Sequence, residues 1–211
     1  MTHPAPLVIT AALVVSLTAC GATTRAMRAP RPDQTASIRT STTVATTTTV
    51  ATSAGHVATT LAPDGFNLIA PWEDGEDIPP ANTCKGQDAK AGVSPSVSWG
   101  DLPSDAVEVA ITLVDITSGN YLNWGVTGID PAVTGIAEGK VPATATQLPN
   151  GSGQPTFAGP CPNEGVHTYV LAVYALKAHP AVPAGADVKA TLDVLERAAI
   201  AVVKVSGVVT A

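Results

Sequence analysis

Glycine and proline interrupt this chain more often than a helical protein tolerates. The sequence has 18 glycines and 18 prolines among 211 residues. Glycine loses much conformational entropy when a helix forms, and proline lacks the N–H donor that a helix interior needs. Hydrophobic residues make up 45% of the chain but aromatic residues only 4%, so the apolar side chains are mostly small. These features exclude a coiled coil, argue against a helical bundle and favour short strands.

The net charge of -6 is unevenly distributed along the chain. Residues 21–60 are basic, whereas residues 61–211 carry a net charge of -9. An acidic domain repels phosphate backbones, so a nucleic-acid-binding protein is excluded. The basic segment is either a solvated linker or a contact for anionic lipid headgroups.

The N-terminus has the features of a bacterial lipoprotein. Residues 7–17 form an apolar run that is too short to cross a membrane, for which about 20 residues are needed, but suits a signal peptide. The following Leu17-Thr18-Ala19-Cys20-Gly21 resembles a lipobox. We therefore expect residues 1–19 to be a signal peptide and Cys20 to carry lipid on the extracytoplasmic face of the cell membrane. Because no Lys or Arg precedes the run, an ordinary signal peptide or a misassigned start codon is the alternative.

Residues 20–60 are expected to be a disordered linker behind the lipidated cysteine. The segment is rich in threonine and has few large apolar residues, so it buries too little surface to offset the entropy of ordering. A β-rich threonine segment is the alternative, although no alternating apolar pattern supports it. Residues 61–211 are then one domain of ordinary size.

The domain has the pattern of a mainly β protein with one late helix. Apolar residues alternate along 106–116, where Val107, Val109, Ile111 and Leu113 share a face, and further strands are predicted at 122–129 and 166–176. Asp187 is expected to cap a helix whose apolar stripe extends to Ile200, and residues 202–209 are expected to form a final strand.

Two polar residues stand on core-facing positions of these strands. Asp115 ends the first apolar stripe, and His167 begins the strand after a rigid Gly- and Pro-rich loop. A carboxylate at such a position must be paired, hydrogen-bonded or exposed in a cleft. Asp115 is either a functional residue or a carboxylate that binds the amides of the next turn, and His167 is either functional or structural. Since the other histidines lie elsewhere, we expect no metal site.

Cys84 and Cys161 are the cysteines that remain if Cys20 carries lipid. Disulfides persist in exported proteins, so the pair is predicted to be bonded. Two separate buried thiols are the alternative.

Seven short motifs follow one another along the domain. They are Asp74-Gly75 to Ile78-Pro79, Thr83-Cys84-Lys85-Gly86, Val93-Ser94-Pro95 to Ser98-Trp99, the strand ending at Asp115, Tyr121 to Trp124, Gly159-Pro160-Cys161-Pro162, and His167-Thr168-Tyr169. In this order they resemble the phosphatidylethanolamine-binding protein (PEBP) family, specifically its bacterial YbhB/YbcL branch of Raf-kinase-inhibitor-like proteins, over about residues 64–207. The resemblance implies a β-sandwich of two sheets with a short C-terminal helix and a small pocket for an anion or phosphorylated headgroup.

The family's pocket residues are only partly matched. Asp115 matches the first residue of its D-P-D-A motif, but the rest of that motif is replaced. Asn123 stands where the family has a pocket histidine, and Asn163 replaces the last proline of its G-P-C-P-P turn. His167 and Tyr169 match its H-R-Y strand start.

The resemblance implies a non-catalytic, membrane-anchored binding protein for a small anionic or phospholipid-headgroup ligand. In that hypothesis His167 donates to the anion, Asn123 hydrogen-bonds it, and Asp115 orients the imidazole or pairs with an ammonium group. The alternative is a cell-envelope interaction or structural protein with a vestigial pocket. No enzyme motif or cofactor signature is present, and a triad of Asp115, His167 and Ser94 or Ser96 is disfavoured. The predicted ligand-binding residues are Asp115, Tyr121, Asn123, Pro162, Asn163, His167 and Tyr169.

Overall fold

The computed structural model describes residues 58–61, 65–86 and 92–211, all of which belong to one compact unit. The predicted signal peptide, the predicted lipidation site at Cys20 and the predicted linker up to residue 57 lie outside the described residues. Within the described ranges, no helix is long and apolar enough to cross a membrane.

The domain consists of two antiparallel sheets and one α-helix. The first sheet has the strand order β1-β2-β3-β6, and the second has the order β7-β5-β4-β8-β9. This architecture confirms the predicted fold class, a mainly β sandwich of two sheets with a short C-terminal helix. In chain order the elements are β1 (Ala58–Leu61), β2 (Asn67–Ala70), a short 3-10 helix (Pro80–Asn82), β3 (Val97–Gly100), β4 (Glu108–Asp115), β5 (Tyr121–Ile129), β6 (Gly135–Ile136), β7 (Thr146–Gln147), β8 (Val166–Leu176), α1 (Val188–Ala198) and β9 (Ala199–Thr210).

Strand β1 begins earlier than the predicted domain boundary at residue 61. It starts at Ala58, inside the segment expected to be linker, and pairs along its length with β2 from Ala70 back to Asn67. An added edge strand needs only main-chain N–H and C=O groups. For that reason the side-chain pattern of residues 58–60 gave no sign of the strand.

The core between the sheets follows the predicted alternation of apolar residues. On β4 the core-facing stripe begins at Val109 rather than Val107, which precedes the strand and is 44% exposed. The stripe on β8 agrees with the prediction from Tyr169 onward. Core residues from the first sheet are Leu68, Ala70, Val97 and Trp99, and those from the second include Val109, Ile111, Leu113, Trp124, Val126, Leu171 and Val173.

Helix α1 covers the other face of the second sheet, so β4 is buried along its whole length. Leu195 of α1 packs with Ala172 and Tyr174 in a second apolar cluster. The helix ends at Ala198, and Ile200 therefore lies in β9 instead of extending the helical stripe as predicted. From Ala199 onward, β9 pairs with β8, and this pairing supplies the main-chain hydrogen bonds that a longer helix would have made.

Asp187 caps α1 as predicted, and the cap offers a first test of the fold. Its carboxylate accepts a hydrogen bond from the main-chain N–H of Ala190 at 2.7 Å. Replacing Asp187 with alanine is expected to lower the free energy of unfolding by about 1 kcal/mol, because one N-terminal N–H loses its acceptor. Urea denaturation measures this change. Asp193→Ala, which removes only the exposed pair with Lys189, is the control and should have a much smaller effect; equal losses would contradict the capping role.

Candidate functional site

A polar hollow of about 280 Å³ lies where β4 ends and β5 and β8 begin. The turn after β4 forms one part of its wall, and the loop 158–163 before β8 forms another. Its lining residues are Asp115, Ser118, Tyr121, Asn123, Ala158, Gly159, Cys161, Pro162, Asn163, His167 and Tyr169.

Asp115 closes the turn after β4 with one carboxylate oxygen. Its Oδ1 accepts hydrogen bonds from the main-chain N–H groups of Thr117 at 2.9 Å and Ser118 at 3.0 Å. Short polar side chains commonly bind main-chain amides two or three residues ahead in this way. The turn role that the sequence left open for Asp115 is therefore present, and it uses only one of the two oxygens.

The second oxygen of Asp115 faces His167. Oδ2 lies 2.8 Å from Nδ1 of His167 and 2.9 Å from the hydroxyl of Ser118, which donates to it. Strand register explains the meeting, since Asp115 on β4 pairs with Tyr169 on β8 and places His167 next on the same face. An ionised carboxylate only accepts hydrogen bonds, so Nδ1 of the imidazole carries the proton and donates.

The protonation states follow from these contacts. Burial raises the pKa of Asp115, but the hydrogen bonds from His167, Ser118 and Thr117 outweigh it and hold the pKa below its usual 3.8. Burial, with the nearby charge and hydrogen bond of Asp115, raises the pKa of Tyr169 well above its usual value. At neutral pH the site therefore contains a carboxylate and a neutral phenol.

Nε2 of His167 is the ring nitrogen left for a ligand. No residue in the described part of the chain hydrogen-bonds it, whereas Nδ1 contacts both Asp115 and Ser118. The side chain is 18% exposed, against 7% for Asp115. The imidazole thus has one nitrogen fixed by the protein and lies at the accessible surface of the hollow.

Asn123 connects the loop of the hollow to β5. Its side-chain amide donates to the carbonyl of Ala158 at 2.9 Å, and its main-chain carbonyl accepts from the N–H of Ala158 at 2.8 Å. The side-chain oxygen Oδ1 is buried and has no hydrogen-bond partner among the described residues. Asn123 therefore holds the wall of the hollow in place, a role that the sequence did not indicate.

A disulfide between Cys84 and Cys161 ties the same wall to the segment after the 3-10 helix. The two Cα atoms lie 5.4 Å apart, and the N–H of Cys84 also donates to the carbonyl of Pro160 at 3.1 Å. This is the pair predicted from the cysteine count. Because Cys161 lines the hollow, the disulfide restrains its shape directly.

All seven residues predicted to bind a ligand line this one hollow. Sequence reasoning missed Ser118, Ala158 and Gly159, and it assigned Cys161 only to the disulfide. The position of Ser118 three residues after a strand-ending aspartate was the available signal, since such a hydroxyl often reaches back to the carboxylate.

The arrangement lacks the geometry of a serine-hydrolase triad. In a triad the acid and the serine contact opposite nitrogens of the imidazole. Here Asp115 and Ser118 both contact Nδ1 of His167. Ser94 and Ser96, the other candidates, do not line the hollow.

Comparison with known proteins identifies the family of the chain. The family model described as phosphatidylethanolamine-binding protein matches residues 69–210. The chain belongs to the phosphatidylethanolamine-binding protein family. The match includes β4, β5, β8 and α1, and therefore every element that builds the hollow.

A mycobacterial protein similar to this chain carries the name "Putative lipoprotein LppC". LppC of Mycobacterium tuberculosis is 36% identical over 136 residues, which are 61% of this chain and 65% of LppC. The match thus spans slightly less than two thirds of LppC.

Two solved structures of family members share the fold. Escherichia coli YbcL, described as a new member of the mammalian PEBP family, aligns with a TM-score of 0.58 and 26% identity over 65% of this chain and 93% of YbcL. Chlamydia trachomatis CT736, described as a "Putative PhosphatidylEthanolamine-Binding Protein (PEBP) Homolog", also gives a TM-score of 0.58, with 24% identity over 74% of this chain and 99% of CT736. The second likeness concerns the fold alone.

Proposed function

We propose that this PEBP-family protein is a non-catalytic, lipid-anchored binding protein of the bacterial cell envelope. Its hollow holds a small anionic or phosphorylated headgroup. The observation that carries the proposal is the Asp115–His167 pair, which fixes Nδ1 of the imidazole and leaves Nε2 for a ligand. Protonated Nε2 donates a charge-assisted hydrogen bond to an anion.

The charges of the hollow indicate when an anion binds. Of the groups lining it, Asp115 is anionic, Tyr121 and Tyr169 carry hydroxyls, and His167 is the side chain able to become cationic. The carboxylate oxygens of Asp115 already accept hydrogen bonds from two main-chain amides, a hydroxyl and the imidazole. With His167 protonated, the pair has no net charge and presents an N–H donor; with His167 neutral, Nε2 is an acceptor that repels anions.

The family name and a relative support the ligand class and the anchor. A phosphatidylethanolamine headgroup combines a phosphate with an ammonium group, and Asp115 or the unpartnered Oδ1 of Asn123 would attract the latter if the ligand approached it. A lipidated Cys20, suggested by the lipobox-like residues and by the name of LppC, would hold the domain outside the membrane. In this organisation residues 1–19 are removed, residues 20–57 form the tether, and the binding domain begins with β1 at Ala58.

Anion binding is expected to depend on His167, because Nε2 of its imidazole is the ring nitrogen that the contact with Asp115 leaves for a ligand. Isothermal titration calorimetry with sulfate at neutral pH tests this, since sulfate is ionised there and so is Asp115, whose pKa is lowered. The variant His167→Ala should bind sulfate roughly tenfold more weakly than wild type, or weaker still, because a charge-assisted hydrogen bond is lost. Parallel titrations with phosphoethanolamine and with phosphatidylethanolamine vesicles distinguish a free headgroup from a lipid.

Some results of these titrations would overturn the proposal. If wild-type protein binds none of the probes at millimolar concentration, the hollow is vestigial and a surface role as a cell-envelope interaction protein becomes the better explanation. If His167→Ala binds sulfate as tightly as wild type, the anion lies elsewhere. Asp193→Ala, on the exposed face of α1, is the matched control and should bind normally.

A further inference from the structure

Gly151 lies against the aromatic ring of Tyr121, one of the walls of the hollow. A Cβ atom built on Gly151 would lie 2.2 Å from Cε2 of Tyr121 and 2.4 Å from its Cδ2. Cβ atoms do not approach other heavy atoms so closely, so a side chain at position 151 cannot coexist with this ring position. Tyr121 lines the hollow, whereas Gly151 does not.

The backbone at Gly151 does not need glycine for its own conformation. Gly153 has a positive φ of 80°, but Gly151 is outside the left-handed region. An L-residue therefore meets no backbone strain at position 151. The contact with Tyr121 is thus a separate constraint on this position.

The loop that carries Gly151 is firmly held. Asn150 is buried, and its Oδ1 accepts from the N–H and hydroxyl of Ser152, at 2.9 and 2.7 Å, and from the N–H of Gln154 at 3.2 Å. The N–H of Gly151 donates to the carbonyl of Leu122 on β5 at 2.8 Å. Tyr121 is only partly buried, and its ring turns about two single bonds. Under strain the ring moves before the loop does.

We propose that Gly151 is a positioning residue for the binding hollow: the missing side chain lets the ring of Tyr121 lie over the 150–154 loop and so sets the shape of one wall. This inference rests on the proposed function for its effect on ligand affinity. The glycine of the Asn150-Gly151-Ser152 sequence thereby acquires a role at the site although it contacts no ligand.

Replacing Gly151 with alanine is expected to weaken binding of phosphoethanolamine by on the order of tenfold, because the displaced ring no longer packs against the ligand. Calorimetry measures the affinity, and thermal unfolding measures stability separately. A disturbance of the fold alone would lower the melting temperature without changing the affinity of the folded protein.

A double-mutant cycle isolates the contact. Tyr121→Ala should weaken binding by itself, and adding Gly151→Ala to it should cause no further loss, since the obstructing ring is gone. If Gly151→Ala weakens binding equally with and without the Tyr121 ring, the effect does not pass through Tyr121 and the inference is wrong.

A crystal structure of the Gly151→Ala variant tests ring placement without any ligand. The inference requires the Tyr121 ring to have moved from the 150–154 loop while the loop hydrogen bonds persist. A ring in its original place, with the loop shifted instead, would overturn the inference whatever the binding result. If wild type binds no probe but the ring moves as expected, the positioning role stands and the proposed function fails.

Discussion

Replacing Asp115 with alanine is expected to lower the free energy of unfolding by about 3 kcal/mol and to abolish sulfate binding in the hollow. The substitution leaves two turn amides, the Ser118 hydroxyl and Nδ1 of His167 without their acceptor at a site where Asp115 is only 5% exposed. The turn and the imidazole then lose their fixed positions together. Urea denaturation and sulfate calorimetry measure the two effects.

Asparagine at the same position separates the charge from the hydrogen bonds. Asp115→Asn retains an oxygen for the turn amides of Thr117 and Ser118 but removes the carboxylate that faces His167. We expect a smaller loss of stability than with alanine and an equally complete loss of sulfate binding. An asparagine variant that binds sulfate like wild type would show that the carboxylate does not prepare the imidazole.

The stability of the protein at acidic pH provides a check on the direction of the pKa shift of Asp115. The pKa of Asp115 is lower in the folded state than the ordinary value of 3.8, so its ionised form stabilises the fold at pH values above 3.8. That contribution is lost as the pH falls through the folded-state pKa. The stability difference between wild type and Asp115→Asn should therefore shrink upon acidification below pH 3.8, and a difference that grows there would contradict the assignment.

Removal of the disulfide is expected to have the largest effect on stability. The bond closes a loop with a sequence separation of 77 residues, and in the chain-entropy model a loop of this size is worth about 4 kcal/mol. The double variant Cys84→Ala/Cys161→Ala should lose about this amount in urea denaturation. Because Cys161 lines the hollow, the variant should also bind phosphoethanolamine more weakly.

A reductant provides the matched comparison. Reduced wild-type protein should unfold near the urea midpoint of the double variant, and the double variant should not respond to the reductant. Mass spectrometry of a non-reduced digest should recover the peptides of Cys84 and Cys161 as one linked species. Free thiols at both positions, or a wild-type midpoint unaffected by reductant, would contradict the prediction.

The two predictions concern two different parts of the wall of the same hollow. Asp115 fixes the turn after β4, whereas Cys161 fixes the loop before β8. Tyr169 connects them, since its pKa is affected both by Asp115 and by the main chain of Cys161. Weakening either wall should therefore reduce ligand affinity through loss of shape as well as through lost contacts.

Local patterns predicted most of the fold. Alternating apolar residues located β8 at residues 166–176, and Asp187 marked the start of α1. Strand β1 was missed because its pairing uses the main chain, and Ile200 was misplaced because helical and strand patterns meet at Ala199. These errors occur where contacts with a distant strand outweigh the local preference.

The sequence by itself determined the fold class, the cysteine pair and seven of the residues that line the hollow, because these depend on local alternation and on motifs that keep their order along the chain. Only the tertiary structure decided that Asp115 and Ser118 share one nitrogen of His167, that Asn123 holds the loop at Ala158, and that Gly151 underlies the ring of Tyr121. These contacts join residues far apart in the chain, or a strand to a loop. The geometry of these contacts follows from strand register and ring orientation. Tertiary packing decides both, and neither can be deduced from the order of residues.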